Sequence, residues 1–138
     1  MFEKLDKFIE ENSEEIHVTG GWDNEKIDEL EEGLNLSFRE ELKTFIRMYG
    51  ILYGYGVEIA VCGKNGHSPM VDATQRFRAV GLDKRYLVVE GDGELAYCLD
   101  NETGNIVNWG LDNLKVYPVA DDFEAFILEH LQDGKDNW

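Results

Sequence analysis

The segment Asp100-Asn101-Glu102-Thr103-Gly104-Asn105 places oxygen-bearing side chains at alternate positions, as the opening of a calcium loop does. Such a loop needs glycine at its sixth position and a bidentate glutamate at its twelfth, and here these are Asn105 and Leu111. The residues therefore read as a hairpin turn, and no metal site is assigned. Zinc has no better claim: His17, His67 and His130 are far apart, and neither Cys62 nor Cys98 has a partner at C-x-x-C or C-x-x-H spacing. Both cysteines sit in apolar, strand-like stretches and read as buried free thiols.

Nucleophilic and phosphate chemistry fare similarly. Ser13, Ser37 and Ser68 lack a G-x-S-x-G setting, and Gly50, Gly54 and Gly56 follow a helical pattern where a phosphate loop follows a strand. Asp92 and Glu94 form an acid pair of the kind that can divide proton donor and acceptor roles, but 29 acids make such pairs common by chance. With no activated nucleophile or positioned base identified, the chain reads as a binding protein, not an enzyme, and no cofactor is assigned. Tyr53, Tyr55, Trp22 and Trp138 lie in loop or end positions where a ring can anchor a partner, although packing within the domain explains them as well.

The 13 Lys and Arg against 29 Asp and Glu give a formal charge of −16, which repels phosphate backbones and anionic lipid surfaces. Residues 1–50 and 51–138 each carry −8, so the acidity belongs to the whole chain and not to a tail. Direct nucleic-acid and membrane binding are disfavoured, and acids in the first twenty residues interrupt any secretory signal, which points to the cytoplasm. A length of 138 residues with 43% hydrophobic content suits one domain, residues 1–138, with 132–138 as a polar tail.

The elements that must hold these residues follow from periodicity. Phe2, Leu5, Phe8 and Ile9 form a helical stripe, and Ile27, Leu30 and Leu34 a second, capped by Asp23 or Asn24. Ser37 and Glu40 have the spacing of a capping box, opening a third helix through Phe38, Leu42, Phe45, Ile46 and Tyr49 to Gly50. Residues 53–62 read as one strand, and a short helix starting near Pro69 ends by Gly81. Residues 86–90, 94–100 and 105–109 read as a three-stranded antiparallel meander, and a last helix capped by Asp121 or Asp122 carries Phe123, Phe126, Ile127 and Leu131. Trp109, Phe123 and Phe126 are assigned to the core. Helices at both ends packed around a central antiparallel sheet define an α+β fold, not a nucleotide-binding β-α-β alternation.

The order of motifs resembles a known family. The run Ile27-x-x-Leu30-Glu31, then Leu36-Ser37-Phe38-x-x-x-Leu42-Lys43-x-Phe45-Ile46-x-x-Tyr49-Gly50, is similar to the opening helices of the SUKH superfamily of immunity proteins, which includes the yeast cell-wall regulator of glucan synthesis. That family usually has Leu-Pro where this chain has Leu36-Ser37. Val71-x-x-Thr74-x-x-x-Arg78, Gly81-Leu82, Tyr86-Leu87-Val88-Val89, Asp92-Gly93, Tyr97-Cys98-Leu99-Asp100, Ile106-Val107-x-Trp109 and Phe123-Glu124-x-Phe126-Ile127 resemble its later landmarks, so that about residues 20–131 are covered.

The resemblance implies an α+β domain and an immunity protein that neutralises a cognate toxin, of nuclease type and encoded by the adjacent gene. A regulatory scaffold without a toxin is the alternative, and a small hydrolase a remote one. An acidic inhibitor would be steered to the basic face with which a nuclease meets phosphates and would occlude it. The partner-facing candidates are Glu90, Asp92, Glu94, Asp100, Glu102 and Asp112 around the meander's turns, with Tyr53 and Tyr55 as anchors.

Overall fold

The computed structural model describes residues 1–91 and 95–138. Five helices and seven strands follow one another as α1 (Glu3–Glu11), β1 (His17–Val18), α2 (Asn24–Leu34), α3 (Glu40–Met48), β2 (Ile51–Gly54), β3 (Val57–Ala60), α4 (Pro69–Arg78), β4 (Tyr86–Gly91), β5 (Leu95–Asp100), β6 (Ile106–Gly110), β7 (Val116–Ala120) and α5 (Phe123–Asp136) among the described residues. The α+β class is as expected, but the strands form two antiparallel sheets, ordered β1-β2-β3 and β4-β5-β6-β7, which meet where β3 lies against β4.

The single strand expected over 53–62 is a hairpin that turns at Tyr55-Gly56, both residues having positive φ (51° and 78°). That geometry closes a two-residue hairpin and is ordinarily filled by Asn, Asp or Gly, so Tyr55 gave no turn signal. Two strands went unread, β1 because it has only two residues, and β7 because its exposed residues show no alternation of burial.

Asp23, Ser68 and Asp122 cap α2, α4 and α5, their side chains accepting from the amides of Lys26, Val71 and Ala125. The expected capping box at Ser37 and Glu40 does not form. Helix α3 starts at Glu40 with Arg39 in the N-cap position, and the job passes to distant groups. A Glu31 carboxylate oxygen accepts from the Phe38 amide, and Asn101 Oδ1, in the β5–β6 turn, accepts from the Arg39 amide at 3.1 Å. Asn101 Nδ2 also donates to the Ser37 carbonyl at 2.8 Å. At the other end of α3, Gly20 and Trp22 donate their amides to the Tyr49 and Ile46 carbonyls, satisfying acceptors that a helix end leaves open.

The main core joins α1, α2, α3 and α5 to the inner faces of both sheets, with the Phe45 ring packed edge-on against Tyr49 at 5.2 Å and tilted against Phe123 at 5.1 Å. Burial pushes the Tyr49 hydroxyl's pKa above its ordinary value, helped by its hydrogen bond to Asp6. A second cluster fills the opposite face of the four-stranded sheet, where Val88, Ala96, Cys98, Val107 and Trp109 pack under Phe77 and Leu82. Because both faces are covered, β4 and β5 read as nearly continuous apolar runs. Cys62 and Cys98 are free and buried, as expected, and burial pushes both thiols up to about 12. Trp109, Phe123 and Phe126 are core residues, and Trp22 is buried with its indole N–H donating to the Gly63 carbonyl at 2.9 Å. No helix among the described residues is long and apolar enough to cross a membrane.

Candidate functional site

The junction of the two sheets opens into a groove of about 730 Å³, walled by β3, α4, β4, β5 and α5. Its chemistry depends on one irregularity in β4. Leu87 pairs with Leu99 and Val88 with Cys98, but Glu90 then pairs with Tyr97, so Val89 is an extra residue at a β-bulge. Regular alternation would put Glu90 on the face of Val88, over the second cluster. The bulge instead sets it opposite Tyr97, whose ring packs against Phe126 and His130 of α5 at 5.2 Å. A buried Thr74 on α4 fixes this arrangement, its hydroxyl accepting from the Val88 amide at 2.9 Å.

Glu90 Oε1 consequently lies 2.9 Å from His130 Nδ1, with both side chains largely covered. The contact with Glu90 raises the imidazole's pKa above its ordinary value, against the burial that lowers it. Across the groove, Glu58 on β3 is exposed and has no ion-pair partner among the described residues. His67 and Asp72 pair at the α4 rim, 3.1 Å apart, and Arg76 lies over the Phe77 ring. Gly56 and Glu58 also line a smaller adjoining hollow of about 340 Å³, bordered by Glu15, His17, Tyr53, Tyr55 and Trp138.

The expected partner-facing residues are thus distributed over several places. Tyr53 is exposed and stacks on His17 at 5.3 Å. Tyr55 is half-buried, its hydroxyl donating to Asn12 Oδ1 at 2.6 Å and its ring meeting Trp138 edge-on at 5.7 Å. Together with Glu90 they border the two adjoining hollows. Asp100 and Glu102 lie at the opposite end of β5 from Leu95, about 16 Å away at ordinary strand rise. There the two Asp100 carboxylate oxygens accept from Arg85 Nε and Nη2 at 3.0 and 2.7 Å, while Glu102 meets Arg85 Nη1 at 3.0 Å. Burial works to raise the Asp100 pKa, but the hydrogen bonds from Arg85, the Glu102 amide and Thr103 outweigh it and hold the carboxyl below its usual range. Asp112 occupies the exposed β6–β7 turn and accepts from the Asn113 amide. Asp92 and Glu94 lie outside the described residues.

Glu58 and His130 were missed as site residues. Glu58 had only its alternation within an apolar strand to mark it, and His130 nothing beyond its place on the last helix.

This arrangement of helices, hairpin and meander coincides with a family assignment: the sequence model of the SMI1-KNR4 cell-wall family, SUKH_5, matches residues 3–132, and the chain belongs to that family, part of a superfamily that includes immunity proteins.

Proposed function

We propose that this chain is an immunity protein that binds and neutralises a cognate toxin by covering its working face. Family membership carries the reading, since immunity proteins belong to the superfamily and act through protein contact. The charge of −16 supports it and favours a partner with a basic surface, such as a nuclease-type toxin domain. The mechanism is occlusion, with no chemistry asked of the inhibitor. Co-expression with the product of the adjacent gene tests it: growth should be restored when both are made. A neighbour that is harmless alone, or fully toxic in the presence of this chain, overturns the reading.

The cell-wall description of the matching family favours a second reading, a regulatory scaffold without a toxin partner. Affinity capture from native cells separates the two. Several stable partners and no adjacent toxin would favour the scaffold.

A further inference from the structure

We infer that the groove between the two sheets is the partner-docking site, and that it receives a lysine or arginine side chain of the partner protein between Glu58 and Glu90. The inference rests on the reading above only in taking the ligand to be a protein. Three observations converge on it. Of the carboxylates lining the groove, Asp72 lies 3.1 Å from His67 and Glu90 2.9 Å from His130, with Arg76 beside them, whereas Glu58 has no ion-pair partner among the described residues, so a cation entering the groove meets an uncommitted carboxylate there. Two of the groove's acids, Glu58 and Glu90, stand on strands, and the bulge at Val89, beside the Val88 amide that Thr74 holds, sets Glu90 opposite Tyr97 at the groove, which is how a rigid scaffold fixes a binding group.

The third observation is the neighbouring aromatic surface. Tyr53 and Trp138 are 45% and 73% exposed, and they border the hollow that shares Gly56 and Glu58 with the groove. A cationic side chain flanked by apolar residues therefore finds carboxylates in one hollow and ring faces in the next, the pairing that large binding contributions favour. Within the free protein His130 occupies part of the Glu90 carboxylate, and Glu58 is left for the incoming cation.

The test uses the full chain and a defined probe, the peptide acetyl-Leu-Arg-Leu-amide, followed by amide NMR spectra, with acetyl-Leu-Gln-Leu-amide as neutral control. Saturable shifts should appear at Glu58, Glu90, Tyr97 and His130 with the arginine peptide only. Glu58→Gln and Glu90→Gln should each weaken binding about fivefold, while Glu29→Gln on exposed α2 leaves it unchanged. Glu58 is exposed, so its substitution keeps the test sound even if Glu90→Gln disturbs folding. Absent shifts, shifts scattered over other acids, or wild-type binding by Glu58→Gln would overturn the inference. Co-expression distinguishes the two levels of the argument. Full protection by the Glu58→Gln/Glu90→Gln double variant would sink the groove and leave immunity standing, whereas groove binding without protection would sink immunity and leave the groove.

Discussion

Replacing Asn101 by Ala should destabilise this protein, and replacing Ser37 by Ala should not, although the sequence motif argues the reverse. A capping box at Ser37 would make Ser37→Ala cost about 1 kcal/mol. In the structure Ser37 is exposed and its side chain caps nothing, so the loss should stay within about 0.5 kcal/mol. Asn101 makes two hydrogen bonds to a segment more than sixty residues away in sequence, at 3.1 Å to the Arg39 amide and 2.8 Å to the Ser37 carbonyl. At about 0.5–1.5 kcal/mol net for each bond, their removal costs about 1–3 kcal/mol. For a chain of this size each kcal/mol lowers Tm by about 3–4 °C. Urea unfolding followed by circular dichroism reads both variants, with m unchanged if only stability is altered. Asn101→Asp should fall between them, because it keeps the acceptor for Arg39 and loses the donor to Ser37. If Ser37→Ala lost 1 kcal/mol or more while Asn101→Ala stayed near wild type, the tertiary cap would be refuted.

Other substitutions probe the core and the groove. Thr74→Val leaves the buried Val88 amide without its acceptor and should cost about 1–3 kcal/mol by urea unfolding, with NMR shifts spreading to Glu90; a neutral result would mean that α4 does not hold the bulge. Gly21→Ala would place a Cβ 1.6 Å from the Arg47 carbonyl oxygen, so the loop must leave the end of α3, and a loss above about 3 kcal/mol or failure to fold is expected. The folded-state pKa of His130 is raised, so its pairing with Glu90 adds stability that is complete below the unfolded value near 6.5 and fades as pH rises through the folded value. The stability gap between wild type and His130→Gln should therefore be wider at pH 5.5 than at pH 9 in paired denaturation curves; a gap independent of pH would contradict the ion pair. Cys62 and Cys98, protonated at neutral pH, should react with iodoacetamide only slowly until urea opens the core, which mass spectrometry of timed samples will show.

Local signals were legible wherever neighbours in sequence are also partners in space. The caps at Asp23 and Asp122, the apolar stripes of α1, α3 and α5 and the meander all follow from short-range periodicity and turn chemistry. The Ser37 motif failed for the complementary reason. Its spacing is local, but the amide it was meant to satisfy is answered from the β5–β6 turn, which no window around α3 contains. The hairpin at Tyr55 was hidden in the same way, since its tyrosine occupies a left-handed turn position while bonding to Asn12 and packing on Trp138, contacts 43 and 83 residues distant.

The candidate site was harder still, because composition supplies far more acids than any site can use. With 29 carboxylates and 13 Lys and Arg, at least sixteen acids have no Lys or Arg of their own, so being acidic distinguishes none of them. What separates them is the cation each one already holds. Asp100 is buried and engaged by Nε and Nη2 of the half-exposed Arg85, and recruiting it to a partner would first require breaking two charge-assisted hydrogen bonds. Glu58 has no such commitment, and Glu90 shares its carboxylate with an imidazole whose charge pH can remove. Glu90 reaches that position only because one extra residue in β4 reverses its facing, an effect of register between strands that alternation within β4 cannot reveal. On the proposed docking, charge favours a basic partner and the bulge determines where its side chain would be met.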